Sequence, residues 1–384
     1  MGCSCWPEHF MVHLPGKTNV VVLEKAVNRM LSVDELNQKV MADIASLQRS
    51  LAEVKNNTLY GAGDFWIPFC EKHQDMIREY GFETFKRTIN FHYHQWWVHS
   101  LRDKQIWLLI WYILKRGRLP IGAFSPCLAY DWSISDKRTK IGVDRLPNRL
   151  PYTLYTKLLW RYALMEDQLG CLKTCDEPIL GSPLPIMYRG KLISQDLATS
   201  SLELNRMGRL IDFSRIGRVA EIGAGYGRLA YLMVHRFPPI AYSIFDIPPT
   251  LAVAQNYLTY TLGAERVAPY QEDGFEKSWL LSPEAQVGCF LPHQLAEVPD
   301  GHFDLLINIS SFDEMTRAQV SNYFSLIDKK CRGWVYLKGN ARVPSNEARM
   351  GVEEFPYPSN WECLYSETDP VVASFAERVY RLRP

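Results

Sequence analysis

Val219–Arg228 reads VAEIGAGYGR, an apolar strand that breaks into glycines and is followed by a helical pattern. Glycines let the backbone pass close to a ligand and tolerate positive φ angles. The helix that starts near Arg228 points its free N-terminal amides toward whatever the turn holds. A strand, a Gly-rich turn and a helix in this order predict the ligand-binding edge of a Rossmann-like sheet.

Two ligand classes are compatible with this turn. Gly223 and Gly225 roughly fit the G-x-G-x-x-G pattern of dinucleotide sites. The third glycine, Gly227, however, follows two residues after the second and misses the pyrophosphate spacing. Glu221, at the strand end, would repel a pyrophosphate but attract an ammonium group. We therefore favour the methyl donor S-adenosylmethionine, with a dinucleotide as the alternative.

Asp246 follows the next predicted strand, Ala241–Phe245. A carboxylate at this position can accept hydrogen bonds from both ribose hydroxyls of a nucleoside, a feature that dinucleotide enzymes share. The alternative is an Asp that starts the turn before Pro248 and Pro249. Ile247 would offer an apolar surface to the adenine ring.

The whole stretch from Asp212 onward alternates short apolar runs with Gly, Pro and Asp turns and helical patterns, which is typical of a parallel sheet covered by helices. The predicted strands are Arg218–Ile222, Ala241–Phe245, Val287–Leu291, Asp304–Ile309, Trp334–Lys338, Trp361–Tyr365 and Arg378–Leu382. The predicted helices are Arg228–Arg236, Pro249–Tyr260 and Thr316–Lys330. We expect an α/β domain with a seven-stranded Rossmann-like sheet whose last two strands form an antiparallel pair.

The first half of the chain reads differently. Between Val33 and Val54 apolar residues recur at intervals of three and four, which predicts a helix whose buried face is core or a dimer contact. Phe65 to Leu169 continues as helical, aromatic-rich sequence. Its segment Phe91–Trp97 could stack on an acceptor, although filling of a helical core is the favoured interpretation. We divide the chain into a mostly helical region, residues 1–180, with dimerisation and acceptor binding as open roles, and a ligand-binding domain, residues 181–384.

Composition excludes some classes of partner. Hydrophobic residues form 47% and charged residues 22% of the 384, the balance of a globular protein. The 43 basic and 42 acidic side chains give a net charge of +1, so no bulk charge favours nucleic acid or a membrane. Nine scattered cysteines, an odd number, indicate a reducing cytoplasm. The longest apolar run, Ile106–Leu114, is half the length needed to cross a bilayer, and no secretory signal opens the chain.

Several stretches together resemble the sugar O-methyltransferase family, including the nanchangmycin-type deoxysugar O-methyltransferases. The stretches are Gly190–Leu197, Glu221–Arg228, Phe245–Pro248, Phe290–Leu295 and Asn308–Met315. The resemblance covers the second domain, and Phe85–Asn90 shows a weaker similarity to the same family. It implies a class I fold, S-adenosylmethionine as the cofactor, and as acceptor a sugar hydroxyl of a glycoside or nucleotide sugar in natural-product or polysaccharide biosynthesis.

The resemblance also assigns roles to residues. It places the methionine part of the donor on the Gly-rich turn, the ribose on Asp246 and the adenine on the turn Leu291–Gln294. Asn308, at the end of the fourth strand, would lie beside the methionine part, or would instead satisfy loop backbone. The candidate cofactor-binding residues are Glu221, Gly223, Ala224, Gly225, Asp246, Ile247, His293 and Asn308.

The catalytic base is sought among the acids that follow Ile309. Methyl transfer from a sulfonium mainly needs alignment, but a sugar hydroxyl also needs a group that takes its proton. Asp313 is the first candidate and Glu314 the second; alternatively both complement the dipole of the helix that begins near Thr316. His293 is the rival base, because its pKa suits proton transfer.

Other functions and ligands stay open. Asp313 and Glu314 could hold a divalent ion such as magnesium, but no spaced triplet of acids compels this, and we commit to no metal site. The histidine cluster, His92, His94 and His99, has poor chelating geometry on a helix. The acceptor could be a polyketide or phenol, the chain could be a non-catalytic donor-binding subunit, and a homodimer is a reasonable assembly.

Overall fold

The computed structural model describes residues 32–55, 57–89, 98, 100–118, 146–272, 285–344 and 348–382. The helices are α1 Val33–Ala52, α2 Ile67–Tyr80, α3 Lys104–Lys115, α4 Leu146–Glu166, α5 Cys171–Thr174, α6 Gln195–Met207, α7 Arg228–Arg236, α8 Pro248–Leu262 and α9 Arg317–Lys330. The strands are β1 Ile186–Tyr188, β2 Lys191–Ile193, β3 Arg218–Ile222, β4 Ala241–Phe245, β5 Val267–Ala268, β6 Val287–Phe290, β7 Phe303–Ile309, β8 Cys331–Asn340, β9 Trp361–Thr368 and β10 Phe375–Leu382. The segment Phe91–Trp97, with His92, His94 and His99, lies outside the described residues.

The main sheet has the strand order β5-β6-β4-β3-β7-β8-β10-β9. Neighbouring strands from β5 to β8 pair in parallel, while β10 runs antiparallel to both β8 and β9. The inner strands are mostly apolar, as expected where helices and loops bury both faces of the sheet. The predicted α/β fold, a Rossmann-like sheet preceded by a helical region, is confirmed.

Strand order reverses at β3, which pairs with β4 on one side and β7 on the other. From β3 the chain continues to β4, β5 and β6 on one side of the sheet, and β7 to β10 lie on the other side. Such a switch point leaves a crevice beyond the carboxyl ends of the central strands, where ligands of open α/β sheets bind. The Gly-rich turn follows β3 at this crevice.

Two details of the sheet differ from the sequence prediction. The sheet formed by the described residues has eight strands, because the two-residue strand β5 adds to the edge beside β6. A strand this short shows no periodicity that a sequence pattern could reveal. The small hairpin of β1 and β2 was also not predicted, although Arg189 and Gly190 at its turn have the positive φ angles of a tight hairpin.

The predicted apolar stripe of the first helix lies inside the protein. Leu36, Val40, Ile44 and Leu47 of α1 are at most 2% exposed and belong to the same core as α8 and one face of the sheet. On the rim of this contact, Lys39 donates to the Asn256 side chain at 2.9 Å. The stripe is therefore core and not a face between copies, and the homodimer stays a prediction. The domain boundary near residue 180 also stays a prediction.

None of the helices in the described ranges is both long enough and apolar enough to span a bilayer.

Candidate functional site

A cavity of about 500 Å³ lies at the carboxyl ends of β3, β4 and β7. Its size is within the usual range of small-molecule sites. Its lining includes the Gly-rich turn and the residues after β4. It also includes segment Tyr60–Phe69, the turn after β7 and the chain that follows β8. The sheet and the helical N-terminal half thus share one binding cavity.

Three glycines shape the turn, each with a positive φ: +74° at Gly223, +62° at Gly225 and +83° at Gly227. A Cβ on Gly223 would lie 2.3 Å from Ser311 Oγ, and one on Gly227 would lie 2.8 Å from a Leu258 methyl group. A Cβ on Gly225 would meet nothing within 4 Å. Gly223 and Gly227 are therefore required by packing, whereas Gly225 keeps the cavity side of the turn open.

Glu221 is buried at the end of β3 and lines the cavity. The Tyr242 hydroxyl donates to its Oε2 at 2.7 Å. Burial raises the pKa of this carboxyl to about 7, although the Tyr242 bond and the nearby Arg228 charge act in the opposite direction. A cationic ligand beside Glu221 would stabilise the ionised form.

Asp246 is the buried carboxyl after β4. Gly225 donates its backbone N–H to Oδ2 at 3.0 Å, and Ile247 donates to Oδ1 at 2.7 Å. Burial raises the pKa of Asp246 to about 7 despite these two bonds. Since a carboxylate can accept about four hydrogen bonds, Asp246 retains acceptor capacity for a ribose hydroxyl. Asp246 thereby also ties β4 to the Gly-rich turn.

These residues fit S-adenosylmethionine. The two buried carboxyl groups suit its positive charges and its ribose, Gly225 leaves room for close approach, and Ile247 and Pro292 give the lining apolar surface for the adenine. All the predicted cofactor residues of the Gly-rich turn, with Asp246 and Ile247, line the cavity: Glu221, Gly223, Ala224, Gly225, Asp246 and Ile247.

The other two predicted cofactor residues lie differently. Within the described part of the chain, the lining includes neither Asn308 nor His293. Asn308 donates to the Ile222 carbonyl at 2.8 Å and to Ser311, and it accepts from the Phe312 N–H at 3.3 Å. It therefore holds the turn after β7 against β3. His293 is half-buried beside the Tyr60 ring. Direct cofactor contact by either residue stays a prediction.

Both predicted catalytic acids line the cavity, in different settings. Asp313 is buried, and its Oδ2 accepts from the backbone N–H of Asn340 at 3.1 Å and from its side-chain amide at 2.6 Å. Glu314 is half-buried, and its Oε2 accepts from the Trp66 indole N–H at 2.7 Å. Burial raises the pKa of both carboxyls, that of Glu314 well above its usual range with the Asp313 charge as the second cause.

Neither acid provides the side-chain cap of the helix that follows. Thr316 is the N-cap of α9, and Gln319 completes a capping box with it. The cap of α9 is thus formed without the Asp313 or Glu314 side chain.

The role of segment Tyr60–Phe69 in the cavity was not predicted. Acceptor stacking was considered for Phe91–Trp97, where filling of a helical core was the favoured interpretation. Phe65, Trp66 and Phe69 all line the cavity. The guanidinium of Arg349 lies over the Phe65 ring, 4.7 Å from its centroid. The cluster Gly61-Ala62-Gly63 just before these aromatic residues was the available signal, because it indicates close backbone approach.

A buried charge cluster behind the turn was also not predicted. Arg228 pairs with Glu203 at 2.7 Å, and Lys338 pairs with Asp369 at 2.8 Å and with Glu203 at 3.2 Å. Glu377 completes it, 3.5 Å from the Lys338 amine. The cluster connects the first residue of α7 with β8 and the loop before β10.

Among the residues that the structure describes, no group of three or more His, Cys, Asp or Glu side chains is arranged to hold a metal ion.

Residues 191–288 match the family model of an O-methyltransferase domain. No curated protein matches the chain. Similar solved structures include the PH0226 protein from Pyrococcus horikoshii OT3, with 13% identity over 50% of this chain and 92% of that one and a TM-score of 0.37. Another is the mitomycin 7-O-methyltransferase MmcR, with 15% identity over 49% and 56% of the two chains and a TM-score of 0.33. The pyocyanin biosynthetic protein PhzM shows 14% identity over 73% and 74% of the two chains, also with a TM-score of 0.33. Likenesses at these scores have no bearing on the substrate.

Proposed function

We propose that this S-adenosylmethionine-dependent methyltransferase acts on a sugar hydroxyl of a glycoside or nucleotide sugar. The observation that supports this acceptor is the pairing of carboxyl groups with aromatic rings in one cavity. Asp313 and Glu314 can bind hydroxyl groups, and Phe65 and Trp66 offer faces for the apolar side of a sugar ring. Hydroxyl recognition and ring stacking together are what a carbohydrate requires.

In this proposal Glu221 binds the donor's ammonium group and Asp246 its ribose. The bound donor supplies an electrophilic methyl group on a positively charged sulfur. The cavity walls align the acceptor oxygen with that methyl group, which is the main requirement of an in-line displacement. As the new C–O bond forms and the C–S bond breaks, Glu314 takes the hydroxyl proton. S-adenosylhomocysteine and the methyl ether leave.

Glu314 replaces Asp313 as the first candidate for the base. Asp313 Oδ2 already accepts two hydrogen bonds from Asn340, and its Oδ1 packs against Gly339, where a Cβ would be only 2.9 Å away. Glu314 is the more accessible of the two. It is therefore the carboxyl better able to reach an acceptor.

A phenol or polyketide hydroxyl is the second candidate. Three aromatic side chains on one segment, Phe65, Trp66 and Phe69, could hold a flat ring as well as a sugar. The two candidates differ in which acceptors are methylated.

Methyl-labelled S-adenosylmethionine and a panel of nucleotide sugars, glycosides, their aglycones and simple phenols would test the proposal. We expect label in the sugar of a glycoside or nucleotide sugar. Preferential labelling of an aglycone or phenol would overturn the sugar assignment. A chain that binds the donor but labels no acceptor of the panel would support the non-catalytic alternative.

The base assignment is tested by Glu314→Gln with Asp313→Asn as its matched control. Loss of the base should lower kcat about 100-fold or more in Glu314→Gln, because general-base catalysis contributes on that order. Donor affinity, measured by calorimetry, should stay nearly unchanged. Full activity of Glu314→Gln together with an inactive Asp313→Asn would return the role to Asp313.

A further inference from the structure

Segment Tyr60–Phe69 is tied to the turn that carries the two acids. Gln319 of α9 donates its side-chain amide to the Gly61 carbonyl at 2.9 Å. The Tyr60 ring meets the Tyr323 ring edge-on, with 6.4 Å between centroids. A Cβ on Gly63 would lie 3.2 Å from Gln319 and 3.7 Å from the Glu314 carbonyl, so the backbone passes close over this turn. The segment is therefore held in place relative to Glu314.

Trp66 is the residue of this segment that reaches Glu314. Its indole N–H donates to Glu314 Oε2 at 2.7 Å. Its ring packs against Phe65, Phe69 and His73, with centroid distances of 6.1, 5.7 and 6.0 Å. An indole carries a single donor and no acceptor. Because the ring is packed by three neighbours, the direction of that N–H is set.

The charges around Glu314 come from several elements. Asp313 on the same turn and Asp246 after β4 oppose its ionisation, and burial opposes it more than either. The Trp66 N–H from the start of α2 and the Arg349 charge from the chain after β8 favour it. A carboxyl in this setting must be ionised to accept a proton at neutral pH, and the hydrogen bond from the Trp66 N–H favours that ionised form.

We propose that Trp66 is a positioning residue for methyl transfer: its N–H holds Glu314 Oε2 so that Oε1 faces the acceptor hydroxyl and takes its proton. The inference rests on the proposed role of Glu314 as the base. It assigns part of the reaction geometry to the helical N-terminal half, 248 residues earlier in the chain.

The test compares variants at position 66 that lack the donor with one that keeps it. Trp66→Phe and Trp66→Leu lose the N–H, whereas Trp66→Gln retains one. In the two non-donor variants kcat should fall about tenfold at neutral pH and the acidic limb of the kcat/KM profile should move up by about one pH unit, since a hydrogen bond to an ion is lost. In Trp66→Gln the limb should stay near its wild-type position. Either non-donor variant that folds suffices for this contrast.

A matched control separates positioning from wall packing. Phe69→Leu alters the same wall without a bond to Glu314, so KM for the acceptor should change and the pH midpoint should not. The same midpoint in Trp66→Phe, Trp66→Leu and the wild type would overturn the proposal, since a residue that only packs would not move it.

A second readout needs no turnover. Infrared difference spectra record the band of protonated carboxyl groups. The signal that is present in the wild type and missing in Glu314→Gln belongs to Glu314. We expect this signal to titrate at higher pH in Trp66→Phe than in the wild type. An unmoved midpoint would contradict the inference even if no sugar is a substrate. A failed sugar panel with a shifted midpoint would instead reject only the acceptor assignment.

Discussion

Glu221 and Asp246 should make donor binding depend on pH. Without the donor both carboxyls have a pKa of about 7, because they are buried. The positively charged donor favours their ionised forms, so binding releases protons below that pH. We expect affinity to rise about tenfold per ionising group between pH 6 and pH 8, measured by calorimetry. In Glu221→Gln the donor affinity should depend less steeply on pH than in the wild type. A wild-type affinity that does not change with pH would contradict the expectation.

The same raised pKa values predict the direction in which the stability of the donor-free protein changes with pH. A carboxyl whose folded-state pKa exceeds its unfolded value stabilises the fold fully only below the unfolded value. This contribution is lost as pH rises from about 4 through about 7, because the folded state must then hold two buried charges. Donor-free protein should accordingly lose stability from these two groups over that window, and bound donor should offset the loss.

Alanine substitutions at two glycines should separate packing from binding. Gly223→Ala places a Cβ against the Ser311 side chain and should lower the unfolding free energy by about 2 kcal/mol or more. The Cβ of Gly225→Ala has no protein atom within 4 Å, so this variant should lose only about 1 kcal/mol of unfolding free energy, because alanine disfavours the left-handed backbone. Its Cβ would instead point into open space at the cavity. Melting curves and donor titrations together check this, and equal effects of the two variants on both would contradict it.

The buried charge cluster is a property of several elements, since Lys338 of β8 joins α6, β10 and the loop before β10. Its amine contacts carboxyls of Glu203, Asp369 and Glu377, all buried. Lys338→Met should destabilise the protein by about 3–5 kcal/mol, because buried carboxylates lose their counter-charge. Lys330→Met is the control, because its partner Asp300 is 73% exposed, and should cost at most about 1 kcal/mol. Chemical denaturation that gives both variants the same loss would count against this role.

At the level of elements, local sequence patterns predict most of the sheet. Arg218–Ile222 and Ala241–Phe245 begin and end as predicted, because each is a short apolar run bounded by turn residues. The two-residue strand β5 has no pattern to detect. Contacts across the fold are also invisible to local patterns: no spacing connects Trp66 with Glu314. The sequence places Asn308 at a strand end. Its hydrogen bonds to Ser311 and Ile222 could not be predicted, because they depend on how the neighbouring strand and the following turn pack.

The molecule as a whole should unfold as one unit, because one core joins α1 to α8 and the sheet. Ile44 is fully buried, so Ile44→Ala should lower the unfolding free energy by about 2–4 kcal/mol. Gln38→Ala on the exposed side of the same helix should change it by less than about 0.5 kcal/mol. Thermal unfolding followed by circular dichroism should show one transition for the whole protein, and bound donor should raise the midpoint of that same transition. A separate melting step for the helical half would show that the two regions are independent.

The lining of the cavity comes from separate stretches of the chain. The donor wall, Glu221–Tyr226 with Asp246 and Ile247, lies inside the region that matches the O-methyltransferase family, residues 191–288. The other lining stretches lie outside that region, and they are Tyr60–Phe69, Ile309–Met315 and Asn340–Pro344. Under the proposed function, substitutions in these stretches would alter acceptor choice and leave the donor-binding residues unchanged. Grafting residues 60–69 from a homologue would be a compact route to a catalyst with a new acceptor.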